Sequence, residues 1–226
     1  EQTESAKQMA EASLRCWCDK LQPSAPFLEL PLDKPRPAQK NHHAEYCTRI
    51  LNDGTVQRIQ QRVEQHGWKR NAVLVAAYAA FMHRLTGQQD VLFGLPVATN
   101  LSDEQPVLGS GSRVLPLKIS VQPQISFAAL VEQVQREMEQ AWENRFLTFS
   151  KLLNALSFQR DPSRPILVST VFDVVDSMPA TRGELELHYR LLPNQFEHLD
   201  MRWTLELSTT ARLTCGSSAS SRRAGK

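Results

Sequence analysis

Six histidines, four cysteines and a compact charged turn are the parts of this 226-residue chain whose types and spacing could do chemistry. His42 and His43 are adjacent, and an imidazole beside a Ser, Cys or Lys activates a nucleophile. The pair is either the start of a catalytic His-His motif or two polar residues where a loop enters a strand. The second alternative is favoured, because no Asp-Gly follows at the needed distance. His83 lies near the end of an apolar helix, where we expect it to interact with the helix dipole rather than to catalyse.

Other nucleophile and metal patterns are weak. The segment 109–112, Gly-Ser-Gly-Ser, resembles a nucleophile elbow but lacks the strand-turn-helix setting. No P-loop, dinucleotide fingerprint or His-Glu-x-x-His occurs. Cys16 and Cys18 lack a second ligand pair, so we predict no metal site. Four scattered thiols in a chain of this length predict a reduced, cytoplasmic protein.

The charged turn comprises Arg160, Asp161 and Arg164. One interpretation is structural: Asp161 brackets the turn and pairs with one arginine. The other is functional: the turn contacts a ligand at a surface or along the wall of a channel. The structural interpretation is favoured, and the functional one stays open.

Composition and charge limit the function classes. Hydrophobic residues make up 41% of the chain, enough for a substantial core. The net charge of +2 is too small to indicate a nucleic acid or an acidic membrane surface as a partner. No run of 18 apolar residues exists, so we predict no membrane-spanning segment.

The first half of the chain predicts a buried helix that leads into a buried strand. The helix, 71–86, is capped by Asn71 and is apolar nearly all round, so it should be central. The strand follows at 90–96. Upstream we predict a helix at 3–22, an extended Pro-rich strap at 26–37, a strand at 44–51 and a helix at 56–66 between caps Asn52 and Gly67.

The second half predicts further strands and helices. They are a strand at 113–121, a helix from Ser126 to 144, a short helix at 149–156, a central strand at 166–175, an edge strand at 184–192 and a strand at 198–208. The end is rich in Ser and Arg and predicts disorder. We therefore expect an α/β or α+β layered domain at 39–207, a leading helix and strap at 1–38, and a disordered tail at 208–226.

Five ordered segments carry a family resemblance: 28–37 (LELPLDKPRP), 83–98 (HRLTGQQDVLFGLPVA), 107–117, 144–153 and 160–164 (RDPSR). With these segments in this order, the chain resembles the C-terminal lobe of a nonribosomal peptide synthetase condensation domain. The resemblance implies a half-domain of the chloramphenicol-acetyltransferase type, a mixed sheet with helices packed on it. It also implies a further segment and a closing helix beyond residue 207, which the Ser/Arg tail is expected to replace.

The resemblance also implies a function. Two lobes of such a domain form a tunnel that admits the phosphopantetheine arms of a donor and an acceptor carrier protein. The resemblance also implies an adjacent adenylation domain. The acceptor amine attacks the donor thioester and gives an amide. The family's catalytic histidine lies in a His-His-x-x-x-Asp-Gly motif on the N-terminal lobe. That motif is absent from this chain, so we expect it to hold no catalytic residue and to need the other lobe as a partner.

The family motifs name the residues that we expect to shape the tunnel: Asn100, Ser110, Ser112, Arg113, Phe149, Arg160, Asp161 and Arg164. Asn100 stands where the family usually has Arg, and an uncharged amide cannot supply that arginine's ion pair. This departure leaves open a non-catalytic domain that docks carrier proteins. A related acyltransferase with a soluble acceptor is a third alternative.

Overall fold

The computed structural model describes residues 4–22, 27–32, 35–98, 112–146, 149–156, 161–176, 180–182, 185–187, 192, 195–207 and 211–218. Within these ranges lie five helices and eight strands. In chain order they are α1 (Glu4–Leu21), β1 (Ala44–Ile50), α2 (Asp53–His66), α3 (Arg70–Thr86), β2 (Asp90–Ala98), β3 (Ser112–Ser120), α4 (Phe127–Glu143), α5 (Phe149–Leu156), β4 (Thr170–Asp176), β5 (Ala180–Arg182), β6 (Leu185–Leu187), β7 (Met201–Leu207) and β8 (Arg212–Ser218).

Six of the strands form one mixed sheet in the order β1-β8-β7-β4-β2-β3. Strand β4 runs parallel to both of its neighbours, β2 and β7. The other pairs, β1 with β8, β7 with β8 and β2 with β3, are antiparallel. The mixed sheet predicted from the family resemblance is therefore present.

Helix α3 is the centre of the core, as its apolar sequence predicts. Eight of its side chains are buried, and three of those are alanines, which let the helix approach the sheet closely. The ring of Tyr78 stacks on Phe172 of β4 at 4.6 Å and meets the edge of Phe93 of β2 at 5.0 Å. Helix α4 packs beside α3 and against β3.

Three predicted helix caps are confirmed, although α2 starts at Asp53 and not at residue 56. The Asn52 side chain accepts the Thr55 N–H at 2.7 Å, and the Ser126 hydroxyl accepts the Ala129 N–H at 3.2 Å. Gly67 ends α2 with a φ of 65°, a left-handed conformation that glycine adopts without steric cost. The predicted cap Asn71 is wrong: α3 starts one residue earlier, and Lys69 precedes it without a side-chain cap.

Two predicted strands begin later than expected. Strand β4 starts at Thr170 rather than at residue 166, because Leu167 has a φ of 68°, which no strand residue adopts. Strand β7 starts at Met201 rather than at residue 198. The edge strand predicted at 184–192 is only partly described: β6 (Leu185–Leu187) pairs with β5 in a separate two-stranded sheet, and residues 188–191 lie outside the described part.

The predicted disorder of the tail is wrong for residues 212–218. They form β8, which lies inside the sheet and pairs with β1 on one side and β7 on the other. Its backbone hydrogen bonds are thus supplied by two neighbours, and the small side chains of Ser217 and Ser218 are buried. A Ser-rich composition predicts disorder, yet pairing along both edges stabilises this segment as a strand. The rest of the tail, apart from Ala211, lies outside the described residues.

The Pro-rich strap lies over the domain as predicted. Leu28 and Leu30 are buried. The Gln88 side chain donates to the Phe27 carbonyl at 2.8 Å and accepts the Glu29 N–H at 2.7 Å. The loop after α3 therefore holds the strap by its backbone.

Candidate functional site

The face of the sheet that points away from α3 carries the candidate site. Phe93, Phe172 and Trp203 contact rings of α3, so they point towards that helix. Successive strand residues point to opposite faces, which places their neighbours on the other side. Arg202 is one of these neighbours, and Val171 is another.

A cleft of about 860 Å³ opens on this side of the sheet. Strands β3, β4 and β7 contribute to it, together with the first residue of α5 and three irregular segments, 39–42, 162–168 and 197–199. Its lining comprises Gln39, Lys40, His42, Arg113, Val114, Phe149, Pro162, Arg164, Pro165, Ile166, Val168, Val171, Glu197, His198, Leu199 and Arg202. A cavity of this size is within the usual range for small-molecule sites.

The cleft brings together three residues named by the family motifs. Arg113 on β3, Phe149 at the start of α5 and Arg164 in the charged turn all line it. Asp161 is adjacent and contacts Arg164. Ser112 begins β3, but its side chain is not described. Asn100, Ser110 and Arg160 lie outside the described residues.

The charged turn has a defined hydrogen-bond geometry. The Asp161 carboxylate accepts the Ser163 hydroxyl at 2.6 Å and the Ser163 N–H at 2.8 Å, and these bonds lower the pKa of Asp161. Arg164 lies 3.4 Å from Asp161, as the structural interpretation predicts, and it donates to both Glu29 oxygens at 2.8 and 3.1 Å. The hydrogen bonds to Glu29 raise the pKa of Arg164. Arg164 thus holds the turn and also faces the cleft.

A buried ion cluster adjoins the cleft through Lys40. Asp200 is fully buried and accepts Arg36 Nη2 at 2.8 Å and Lys40 Nζ at 3.2 Å. The Lys40 ammonium also donates to the His198 carbonyl at 2.8 Å. Burial lowers the pKa of Lys40, and the nearby Asp200 carboxylate offsets part of that effect. The cluster ties the strap to the segment that precedes β7.

A second ion pair lies on the floor of the cleft. Glu197 accepts Arg202 Nε at 2.6 Å through one carboxylate oxygen. Its other oxygen accepts the N–H groups of His198 and Leu199 at 3.0 and 3.3 Å. Sequence reasoning missed both ion clusters. Glu197 and Arg202 are five residues apart at a predicted strand, where no pattern indicates a pair, and the Asp200 partners are more than 150 positions away.

The histidines occupy different places. The rings of His42 and His198 lie 4.6 Å apart at the cleft, whereas His43 packs on Phe196. His83 contacts the Gln88 carbonyl through Nδ1 at 2.7 Å beyond the end of α3. In the described part of the chain the cleft lining contains no Ser, Thr or Cys, so it offers no hydroxyl or thiol nucleophile.

Neither a metal-binding cluster nor a membrane-spanning helix occurs among the described residues. Among them, no three His, Cys, Asp or Glu side chains are placed to hold a metal ion. The described helices include none that is both long and apolar enough to span a membrane. The apolar walls and the cationic groups of the cleft can bind and orient a ligand.

Known proteins share this sequence pattern. The chain is 31% identical over 174 residues to phosphinothricin tripeptide synthetase PhsB of Streptomyces viridochromogenes, covering 74% of the chain and 15% of that protein. It is 28% identical over 187 residues to tyrocidine synthase 3 of Brevibacillus parabrevis, covering 82% of the chain and 3% of that protein. The chain thus spans a small part of these relatives.

Solved structures are similar over nearly the whole chain. In the complex of the X-domain and OxyB from teicoplanin biosynthesis, the matching chain gives a TM-score of 0.82 at 19% identity, over 95% of this chain and 49% of that one. The four-domain nonribosomal peptide synthetase holo-AB3403, bound to AMP and glycine, gives 0.83 at 16% identity, over 94% of this chain and 18% of that one. The model of the condensation domain family matches residues 1–214, and the chain therefore belongs to that family.

Proposed function

We propose that this chain is the C-terminal lobe of a nonribosomal peptide synthetase condensation domain and forms one wall of its reaction tunnel. The observation that carries the proposal is the cleft on the open face of the sheet, where Arg113, Phe149 and Arg164 from three separate family motifs come together. These residues belong to separate segments of the sequence. Their common position supports a shared role in shaping one binding channel.

In the proposed reaction a carrier-bound amine attacks the carbonyl carbon of a carrier-bound acyl thioester. A C–N bond forms, the C–S bond breaks, the amine loses a proton and the donor thiol leaves with one. The residues of this lobe bind and orient the two substrates. Proton transfer is assigned to the N-terminal lobe, because the His-His-x-x-x-Asp-Gly motif is absent from this chain.

The proposed partners follow from this reaction. They are the N-terminal lobe, a donor and an acceptor carrier protein, and an adjacent adenylation domain in a cytoplasmic synthetase. Each carrier presents a phosphopantetheine arm as part of its substrate. The apolar cleft walls, which include Val114, Phe149 and Val171, suit an arm and its acyl group, and the cationic groups suit their polar ends.

The test is to combine the chain with an N-terminal lobe, load both carriers and measure the intact mass of the acceptor carrier. We expect the acceptor to gain the mass of the donor acyl group. If the mass is unchanged while the carriers still bind, the non-catalytic docking domain is supported instead. Asn100 motivates that alternative, because the family usually has Arg there. Release of a free amide or ester from a coenzyme A donor would indicate an acyltransferase with a soluble acceptor.

A further inference from the structure

Arg202 is one of the cationic residues that line the cleft, with Lys40, Arg113 and Arg164. It lies on β7, opposite Val171 of β4, and it lines the cleft. Its side chain is 35% exposed, so the guanidinium is reachable from the cleft but is not free in solvent. An arginine in such a position is less screened than one on the surface.

Glu197 fixes the orientation of this guanidinium. Its carboxylate is almost fully buried, accepts two backbone N–H groups from its own segment and binds Arg202 through Nε alone. The Nη1 and Nη2 edge of Arg202 has no hydrogen-bond partner among the described residues. A guanidinium edge with two parallel N–H donors matches the two oxygens of a carboxylate. Arg202 is therefore held with an unused bidentate edge.

The neighbouring charges leave that edge available. Arg164 is paired with Glu29, and Lys40 is paired with Asp200. Arg113 donates one Nη1 hydrogen bond to the Arg145 carbonyl at 3.1 Å. Glu197 is the acidic residue among those that line the cleft, and its oxygens are occupied. Asp173, two residues after Val171 on β4, competes with a ligand anion for Arg202: burial raises the pKa of Asp173, and the nearby Arg202 charge offsets part of that rise. No hydrogen bond joins Asp173 to Arg202 in the part of the chain that the structure describes.

We propose that the Nη edge of Arg202 binds a carboxylate of the substrate, so that this domain selects an acyl or aminoacyl group with an acidic side chain. The inference rests on the proposed function, because it takes the cleft as the substrate channel. Glu197 is a positioning residue that acts through Arg202. The phosphate of a phosphopantetheine arm is an anion like a carboxylate, and the experiment must separate the two.

The test measures binding of four soluble probes to the full chain by calorimetry. They are pantetheine and 4′-phosphopantetheine, each carrying either a glutaryl group or its carboxamide equivalent. Hydrogen bonds to a charged group are stronger than those to a neutral amide, so the wild type should prefer either carboxylate probe by about tenfold or more. Arg202→Gln should abolish the preference, and Glu197→Gln should reduce it. Arg49→Gln, at an exposed arginine of β1, should leave it intact.

Several results would overturn the inference. The wild type could bind the carboxylate and carboxamide probes equally, Arg202→Gln could retain the preference for the carboxylate, or no probe could bind. A gain from the phosphate that depends on Arg202 without a gain from the carboxylate would assign Arg202 to the arm instead. If Arg202→Gln fails to fold, Arg202→Lys decides, because it keeps the charge but has no paired Nη donors: an undiminished preference for the carboxylate in that variant would overturn the inference. Amide formation in the mass assay would leave the proposed function standing in each case.

Discussion

Replacing Asp200 by asparagine removes the negative charge that Arg36 and Lys40 share. The three side chains are 0%, 9% and 5% exposed, so water cannot replace the lost carboxylate. Asparagine has nearly the same shape and keeps one oxygen as an acceptor. The substitution therefore tests the charge rather than the packing.

The expected loss of stability is large. Removing one partner of a buried ion pair typically costs about 3–5 kcal/mol, because the other charge stays buried without compensation. The remaining amide oxygen can accept from only one of the two cations, and the amide nitrogen would face the other, so Asp200→Asn should cost about 3–5 kcal/mol. That is a substantial part of the roughly 5–15 kcal/mol that stabilises an ordinary domain.

The assay is equilibrium unfolding of the full chain in urea, followed by tryptophan fluorescence and circular dichroism. Asp176→Asn is the matched control. Asp176 binds Arg70 at 2.8 and 3.0 Å, but these side chains are 56% and 40% exposed. Exposed pairs contribute only about 0–1 kcal/mol. If Asp200→Asn cost no more than Asp176→Asn, the buried cluster would not stabilise the wall of the cleft, and the reasoning would be refuted.

Three further predictions concern the sheet and a helix cap. Gly94→Ala should lower the free energy of unfolding in urea by about 1–3 kcal/mol, because a Cβ there would lie 2.5 Å from Val114 Cγ1. Gly54→Ala is the control and should not destabilise the fold, because a Cβ there has no neighbour nearer than 3.8 Å. Burial raises the pKa of Cys215 from 9.0 to about 12, so the folded state prefers the thiol and should lose about 1.4 kcal/mol for each pH unit between these values. In Cys215→Ala the free energy of unfolding should therefore fall less steeply with rising pH in this alkaline range. Asn52→Ala should cost about 1 kcal/mol, because it removes the cap of α2.

Outcomes that contradict these predictions are equally specific. Equal midpoints for Gly94→Ala and the wild type would mean that the Val114 and Val171 side chains both move freely to accept a methyl group. An unchanged alkaline slope in Cys215→Ala would assign the loss to other groups, with Cys16→Ala as the comparison. A silent Asn52→Ala variant would show that packing alone holds the start of α2.

Local patterns in the sequence predicted the elements that depend on local physics. The apolar content of α3 placed it in the core, and Asn52, Gly67 and Ser126 marked helix ends because their hydrogen bonds are made within a few residues. The family motifs name Arg113, Phe149 and Arg164, and these three residues line the same cleft.

Features that depend on residues far apart in the chain could not be predicted from local sequence patterns. Strand β8 exists because β1 and β7 supply hydrogen bonds from both sides, and no property of its Ser-rich composition reveals those neighbours. The late start of β4 follows from one left-handed residue, Leu167, whose side chain type disfavours that conformation. The ion cluster at Asp200 joins residues more than 150 positions apart.

Two tryptophan substitutions, combined with the intact mass of the acceptor carrier, test the central claim most directly. Ile166 lines the cleft and is 42% exposed, so Ile166→Trp should narrow the channel without disturbing the core. Ile50, at the end of β1, is 67% exposed and does not line the cleft, so Ile50→Trp is the control. With an N-terminal lobe and loaded carriers, we predict acyl transfer to the acceptor in the wild type and in Ile50→Trp, and much slower transfer in Ile166→Trp. Equal transfer by both variants, or none by the wild type, would contradict the assignment of this cleft as the wall of a condensation tunnel.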